Sequence, residues 1–176
     1  MRLRALRSWA AMLLLFGAMV AAIAYLGTGP GETFSGTARA VDGDSLELGG
    51  LRVRLYGIDA PERRQTCGKA GETTQCGRQA QAELAKIISG KMIVCESFGH
   101  DRYDRTLAKC RAGATDLAAA MVRAGWAIAY GEYYGEEQMA RRHRAGIWAG
   151  EFIEPADWRV LNGQAATDFR FWQRWF

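Results

Sequence analysis

Between Ser45 and Leu55 the chain reads SLELGGLRVRL, two alternating apolar and polar runs on either side of Gly49-Gly50. A period of two places Leu46 and Leu48 on one face of a strand, and Leu51, Val53 and Leu55 on one face of the next. Two glycines accept positive φ at both turn positions, so the spacing predicts a tight hairpin. Its apolar face needs a cover, and the flanking sequence supplies one. TFSGTARAV before it, and KMIVCESF and RTLAKCRA after it, read as further strands, the last two joined by the charged turn GHDRYD. Pro61 stops any ladder after the hairpin. Ala80, Leu84, Ile87 and Ile88 form a helical stripe within a helix expected over Gly77 to Ser89. Thr115 or Asp116 suits the start of a second helix, and Gly125 its left-handed stop. A third is expected from Glu136 to Ala145, ended by Gly146. The pattern predicts an α+β domain over residues 34–153, built on an OB-like five-stranded barrel with about three helices.

A different pattern precedes this domain. Residues 1–26 carry Arg2, Arg4 and Arg7 and then an apolar stretch from Trp9 to Leu26, an expected N-terminal hydrophobic helix. Ala22-Ile23-Ala24 has the small-x-small form of a signal-peptide cleavage site. The apolar length equally suits a retained membrane anchor with its arginines inside. Either reading sends the domain out of the cytoplasm to a periplasmic, secreted or outward-facing anchored location, with residues 27–33 as a linker. The pI near 9.0 is weak evidence of a polyanion partner: setting aside Arg2, Arg4 and Arg7 from 23 basic residues leaves 20 against 19 acidic ones. Any anion site must therefore come from the local arrangement of arginines.

Four cysteines suit an exported chain, where an even count favours disulfides. Cys67 and Cys76 flank a loop, and Cys95 and Cys110 lie in two expected strands, so the local pairing Cys67–Cys76 with Cys95–Cys110 is favoured among three connectivities. A zinc site is the alternative, but there is no C-x-x-C, and His100 and His143 lack ligand spacing.

The hairpin also gathers charge. Asp44 begins one strand and Asp59 ends its partner, so the open end of the hairpin brings them together beside Asp42 and Glu62. Clustered carboxylates repel unless a cation or arginines hold them. An all-oxygen donor set points to Ca²⁺ or Mg²⁺. Arg54 projects from the same hairpin, and HDRYDR adds Arg102 and Arg105 from the next. Guanidinium forks match phosphate oxygens at two points. A cation, two arginines and one further carboxylate suit hydrolysis of a phosphodiester.

VDGDS, RLYGIDAPE and DRYDR, in this order and followed by LAAAMVRAGWAIAY and GIW, resemble the thermonuclease family, also called staphylococcal nuclease-like, over Phe34 to Trp148. The resemblance implies an OB-fold nuclease that uses Ca²⁺ to cut DNA and RNA and leaves 3′-phosphate ends. It assigns Asp44, Asp59 and the backbone carbonyl of Ala60 to the metal, with Asp42 in its outer shell. Glu62 matches the proposed general base, Arg54 and Arg105 the phosphate-binding arginines. Tyr103 and Tyr130 fall near nucleotide-contacting positions. Asp104 departs from the family's usual glycine, and its charge is expected to pull on Arg105 or crowd the turn. The tail over residues 154–176, rich in aromatics with Arg170 and Arg174, is expected to fold back on the domain, with a membrane interface or single-stranded nucleic acid as alternatives. A non-catalytic OB module that binds nucleic acid or a protein, and an enzyme of another phosphate ester, are the competing functions.

Overall fold

The computed structural model describes residues 12–22, 31–69 and 72–162. The chain divides into two units, Met1–Gly31 and Glu32–Phe176. In the first, residues 12–22 form a helix, α1, whose apolar side chains, Leu14 and Leu15 among them, are exposed. The rest of the 1–26 segment, and residues 27–30 of the expected linker, lie outside the described residues. Among the described residues no helix is long and apolar enough to cross a membrane.

The second unit opens with strands β1 (Thr33–Gly36), β2 (Ala38–Ala40), β3 (Ser45–Leu48), β4 (Leu51–Leu55) and β5 (Ile58–Asp59), then a small hairpin of β6 (Cys67–Lys69) and β7 (Glu72–Thr74). Helix α2 (Cys76–Ile88), strands β8 (Ile93–His100), β9 (Thr106–Ala112) and β10 (Thr115–Asp116), and helix α3 (Leu117–Arg123) follow. Strand β11 (Ile128–Ala129), helix α4 (Tyr134–Arg142), a 3-10 turn (Gly146–Ala149) and helix α5 (Pro155–Leu161) complete it.

The main sheet has the order β1-β8-β9-β4-β3-β2, with β10 on β9. Its ladder is not closed, in contrast to a complete five-stranded barrel. Yet β1 and β2, the two edges, are separated by Thr37 alone. One bent segment therefore supplies both edges, and the sheet must curl until they meet, which gives a partly open, OB-like barrel. The expected single strand at TFSGTARAV is broken at that bend.

Alternation placed the hairpin correctly, with one exception. Leu46, Val53 and Leu55 are fully buried, but Leu51 is 49% exposed because it adjoins the turn at the sheet's margin. Under the sheet lies α2, with Ala80, Leu84 and Ile88 inward at i, i+4 and i+8. Burial of each such leucine or isoleucine stabilises the fold by about 1.5–3 kcal/mol. Asp116 caps α3, its Oδ1 accepting from the Ala119 N–H at 3.0 Å, as one of the two expected caps. Helix α4 begins earlier than expected, at Tyr134, and ends at Arg142, while Gly146 opens the 3-10 turn instead of closing the helix.

Both favoured disulfides are present. Cys95 and Cys110 sit opposite one another in the β8–β9 ladder, and Cys67–Cys76 ties the small hairpin to the start of α2. That second bridge, with Ile147, forms a satellite core against which Trp126, Trp148 and Phe152 pack.

Candidate active site

Register brings the polar residues of three strands to one end of the sheet. Across the β3–β4 hairpin Ser45 faces Arg54, so Asp44 lies just beyond the last pair. Strand β9 runs parallel to β4 with Thr106 opposite Val53, which lays the 101–105 turn beside Arg52 and Arg54. Ile128 of β11 pairs with Asp59 of β5, and the Tyr130 N–H donates to the Gly57 carbonyl at 2.9 Å. Glycine allows the closest approaches. A Cβ on Gly43, between Asp42 and Asp44, would stand 2.7 Å from the Cβ atoms of both Ala60 and Ala80. One on Gly77 would overlap the Glu62 carbonyl, so the absent side chain lets α2 press against the Glu62 loop.

The outcome is an open cleft of about 750 Å³ bordered by Asp42, Asp44, Arg54, Glu62, Arg105 and Arg159, with Tyr103 and Tyr130 at its rim. Arg54 is its centre. Its Nη1 lies 3.0 Å from Asp44 Oδ2 and its Nη2 2.7 Å from Asp59 Oδ1. Burial works against the guanidinium's charge, but the two carboxylates outweigh it and hold the pKa above its ordinary value. Asp44 also accepts from the Ser45 hydroxyl at 2.9 Å and from the Ala60 N–H at 3.1 Å. Even so its pKa is pushed up to about 6, because burial and the nearby Asp42 and Asp59 charges exceed the pull of Arg54. One guanidinium cannot neutralise so much buried negative charge.

The second cation comes from the C-terminal helix. Arg159 of α5 donates from Nη1 to Asp59 Oδ1 at 3.1 Å and to Glu62 Oε1 at 2.8 Å, and from Nη2 to Asp59 Oδ2 at 2.9 Å. Gln65, which is fully buried, ties this helix to the site: its Oε1 accepts from the Glu62 N–H at 3.1 Å, and its Nε2 donates to the Ile153 carbonyl at 2.6 Å. Arg105 is held by Asp101, whose Oδ2 accepts from Nε at 2.6 Å, and reaches the Ser45 hydroxyl at 3.4 Å. The expected interference from Asp104 does not occur through an ion pair with Arg105. Asp104 instead occupies a left-handed turn position, φ +59°, where glycine carries no Cβ strain.

The candidate cation ligands are gathered but engaged. Among the described residues no three His, Cys, Asp or Glu side chains are grouped to hold a metal ion as they stand. Both Asp59 oxygens are occupied by Arg54 and Arg159. Two observations nevertheless fit a hard cation. Asp42 Oδ1 is buried without a hydrogen-bond partner, which is costly for a carboxylate oxygen. Asp42 and Asp59 also lie close enough to Asp44 to raise its pKa, so three carboxylates share one small space in a donor set made only of oxygens, which suits Ca²⁺ or Mg²⁺.

Sequence reasoning missed Arg159, Gln65 and Asp101. Asp101 had a local signal, standing four residues before Arg105 in a turn. Arg159 had none, because 100 residues separate it from Asp59. His143 contacts its own helix, its Nδ1 lying 2.8 Å from the Met139 carbonyl, and is remote from these ligands in role.

A curled, partly open β-sheet that presents arginines and carboxylates across one cleft defines an OB-like domain of the nuclease class. The family model for staphylococcal nuclease homologues matches residues 52–150, and the chain belongs to that family. Among its relatives, the succinoglycan biosynthesis protein ExoI of Rhizobium meliloti (strain 1021) is 33% identical over 144 residues, covering 77% of this chain and 75% of that protein. An uncharacterized endonuclease of Escherichia coli O157:H7 is 30% identical over 133 residues, covering 69% of this chain and 81% of that protein. A micrococcal nuclease of Shigella flexneri is 33% identical over 152 residues, with 73% and 82% covered.

Proposed function

We propose that the protein is an exported, Ca²⁺-dependent nuclease that hydrolyses phosphodiester bonds of DNA and RNA and leaves 3′-phosphate ends. The observation that carries this reading is the convergence of Arg54, Arg105, Asp44 and Glu62 on one open cleft, with Asp59 buried against Arg54. Arg54 and Arg105 bind the scissile phosphate through their forks and stabilise the charge that grows on its oxygens. Glu62 orients the attacking water and accepts its proton. Tyr103 and Tyr130 flank the nucleotide. Asp44, Asp59 and the Ala60 carbonyl, with Asp42 behind them, would hold the cation. When bound, the ion supplies Lewis-acid polarisation of a phosphoryl oxygen. Relatives named endonuclease and micrococcal nuclease support the same chemistry. Export is supported by the two disulfides and by the basic and apolar pattern of residues 1–26.

A second reading has one observation in its favour. Arg159 occupies Asp59 and Glu62 together, which suits a module that binds nucleic acid without cutting it. One assay separates the two. Purified protein should degrade single-stranded DNA and RNA with Ca²⁺ and stop when a chelator is added. Cleavage that continues undiminished in chelator contradicts the metal-assisted reading, and binding without cleavage in Ca²⁺ favours the module.

A further inference from the structure

A second cleft of about 670 Å³ adjoins the first, and Glu62 borders both. Arg63, Arg64, Arg78 and Trp158 line it. Arg63 and Arg64 follow Glu62 in an exposed turn, and Arg78 stands exposed in the first turn of α2. The close approach at Gly77 brings these two elements together. Helix α5 serves both clefts at once: Arg159 reaches the carboxylates of the first, while its neighbour Trp158 lines the second.

The charge balance of this second cleft is one-sided. Arg39, Arg105, Arg123, Arg141 and Arg159 each hold a carboxylate. Arg63, Arg64 and Arg78 hold none among the described residues. The cleft's own carboxylate, Glu62, is already engaged by Arg159 at 2.8 Å. Three guanidinium groups thus face one space without a paired carboxylate among the described residues, beside a half-buried indole. Guanidinium forks suit phosphate oxygens, and an indole face suits an unstacked base.

We propose that this second cleft is a binding track for single-stranded polynucleotide, holding the phosphates that flank the one cleaved in the first cleft. Arg63, Arg64 and Arg78 take successive phosphates, and Trp158 stacks on a base of the same strand. The inference rests on the nucleolytic reading for the direction of the strand, because Glu62 joins the track to the site of attack. Its chemistry asks only for a polyanion with exposed bases. A long strand should therefore be favoured over a dinucleotide.

The test is binding of a fluorescent single strand of about 12 nucleotides by the full chain in chelator, measured by anisotropy between about 50 and 200 mM KCl. Each neutralised phosphate contributes a slope of about −0.7 to log affinity against log salt on a single strand. Replacing Arg63, Arg64 and Arg78 together by Gln should lower the slope's magnitude by about 2 and weaken binding at least tenfold. The single variant Arg78→Glu should weaken binding in the same direction, so a misfolded triple variant does not decide the matter. Trp158→Ala should cost about tenfold on the single strand and less on a duplex of equal length. In Ca²⁺, the triple variant should lose far more cleavage of the long strand than of a dinucleotide. Wild-type salt slopes in both arginine variants would overturn the track, whatever the cleavage result. Equal losses for duplex and single strand on Trp158→Ala would overturn the stacking part. If the wild type binds through these arginines but cuts nothing, the track stands and the nuclease reading fails.

Discussion

Arg54 stands between two buried carboxylates, and its two nitrogens are spaced to hold both. Lysine could not copy that contact, because a single ammonium presents no planar fork. The same logic governs Arg105, whose guanidinium is steadied by Asp101 and so kept near Ser45 and the mouth of the cleft. Burial alone would raise the Asp101 pKa. The N–H groups of Arg105 and Tyr103, together with the Arg105 side chain, outweigh it and hold the carboxyl below its ordinary value of 3.8. A depressed pKa contributes stability that is present above 3.8 and is lost as pH falls through the lower folded value. Titration of the Asp101 carboxyl by NMR should therefore give a midpoint below 3.8 that rises in Arg105→Ala. A midpoint unmoved by that substitution would mean that the side-chain pair contributes little.

Elements, not single residues, decide what the cleft admits. Helix α5 is short, yet it delivers Arg159 onto Asp59 and Glu62, and Gln65 fastens the segment just before it. A divalent ion that binds Asp59 must compete with this guanidinium. Arg159→Gln should therefore bind Ca²⁺ about tenfold more tightly by calorimetry, equivalent to about 1.4 kcal/mol. Unchanged or weaker affinity would show that Arg159 does not oppose the ion. The hairpin half of the site was legible because alternation and Gly49-Gly50 fix its register, which sets Arg54 beside Asp44. Asp59 does not end that strand as expected but lies on β5, which pairs with β11, and reaches Arg54 after the turn at Tyr56-Gly57. The α5 half was not, because a lone arginine in a tail has no periodicity that reports its partner. Leu51 failed for a related reason: alternation assigns a face but cannot tell where the covered part of that face ends.

At the scale of the molecule, the same sheet builds core and cleft, so what steadies one steadies the other. The Cys95–Cys110 bridge closes β8 on β9, a sequence separation of 15, next to the strand that places Arg105. Replacing both cysteines by Ser should lower unfolding stability by about 3 kcal/mol in urea, the loss of loop-closure restraint for such a span. A change below about 1 kcal/mol would mean the ladder alone holds these strands. The α+β, OB-like class was readable from the order of strands and helices, whereas the expected five strands and about three helices fell short of the eleven short strands and five helices described. The open edge was not legible, since a bend at Thr37 leaves no signature in the alternation. Glu62 borders both clefts, and Arg159 links its carboxylate to Asp59, so the proposed chemistry turns on this residue. Steady-state cleavage of single-stranded DNA at saturating Ca²⁺ by Glu62→Gln, alongside nucleotide binding, tests it most directly. If Glu62 accepts the proton of the attacking water, kcat should fall at least about 100-fold below wild type with nucleotide affinity retained, and a variant that turns over at the wild-type rate would contradict that role.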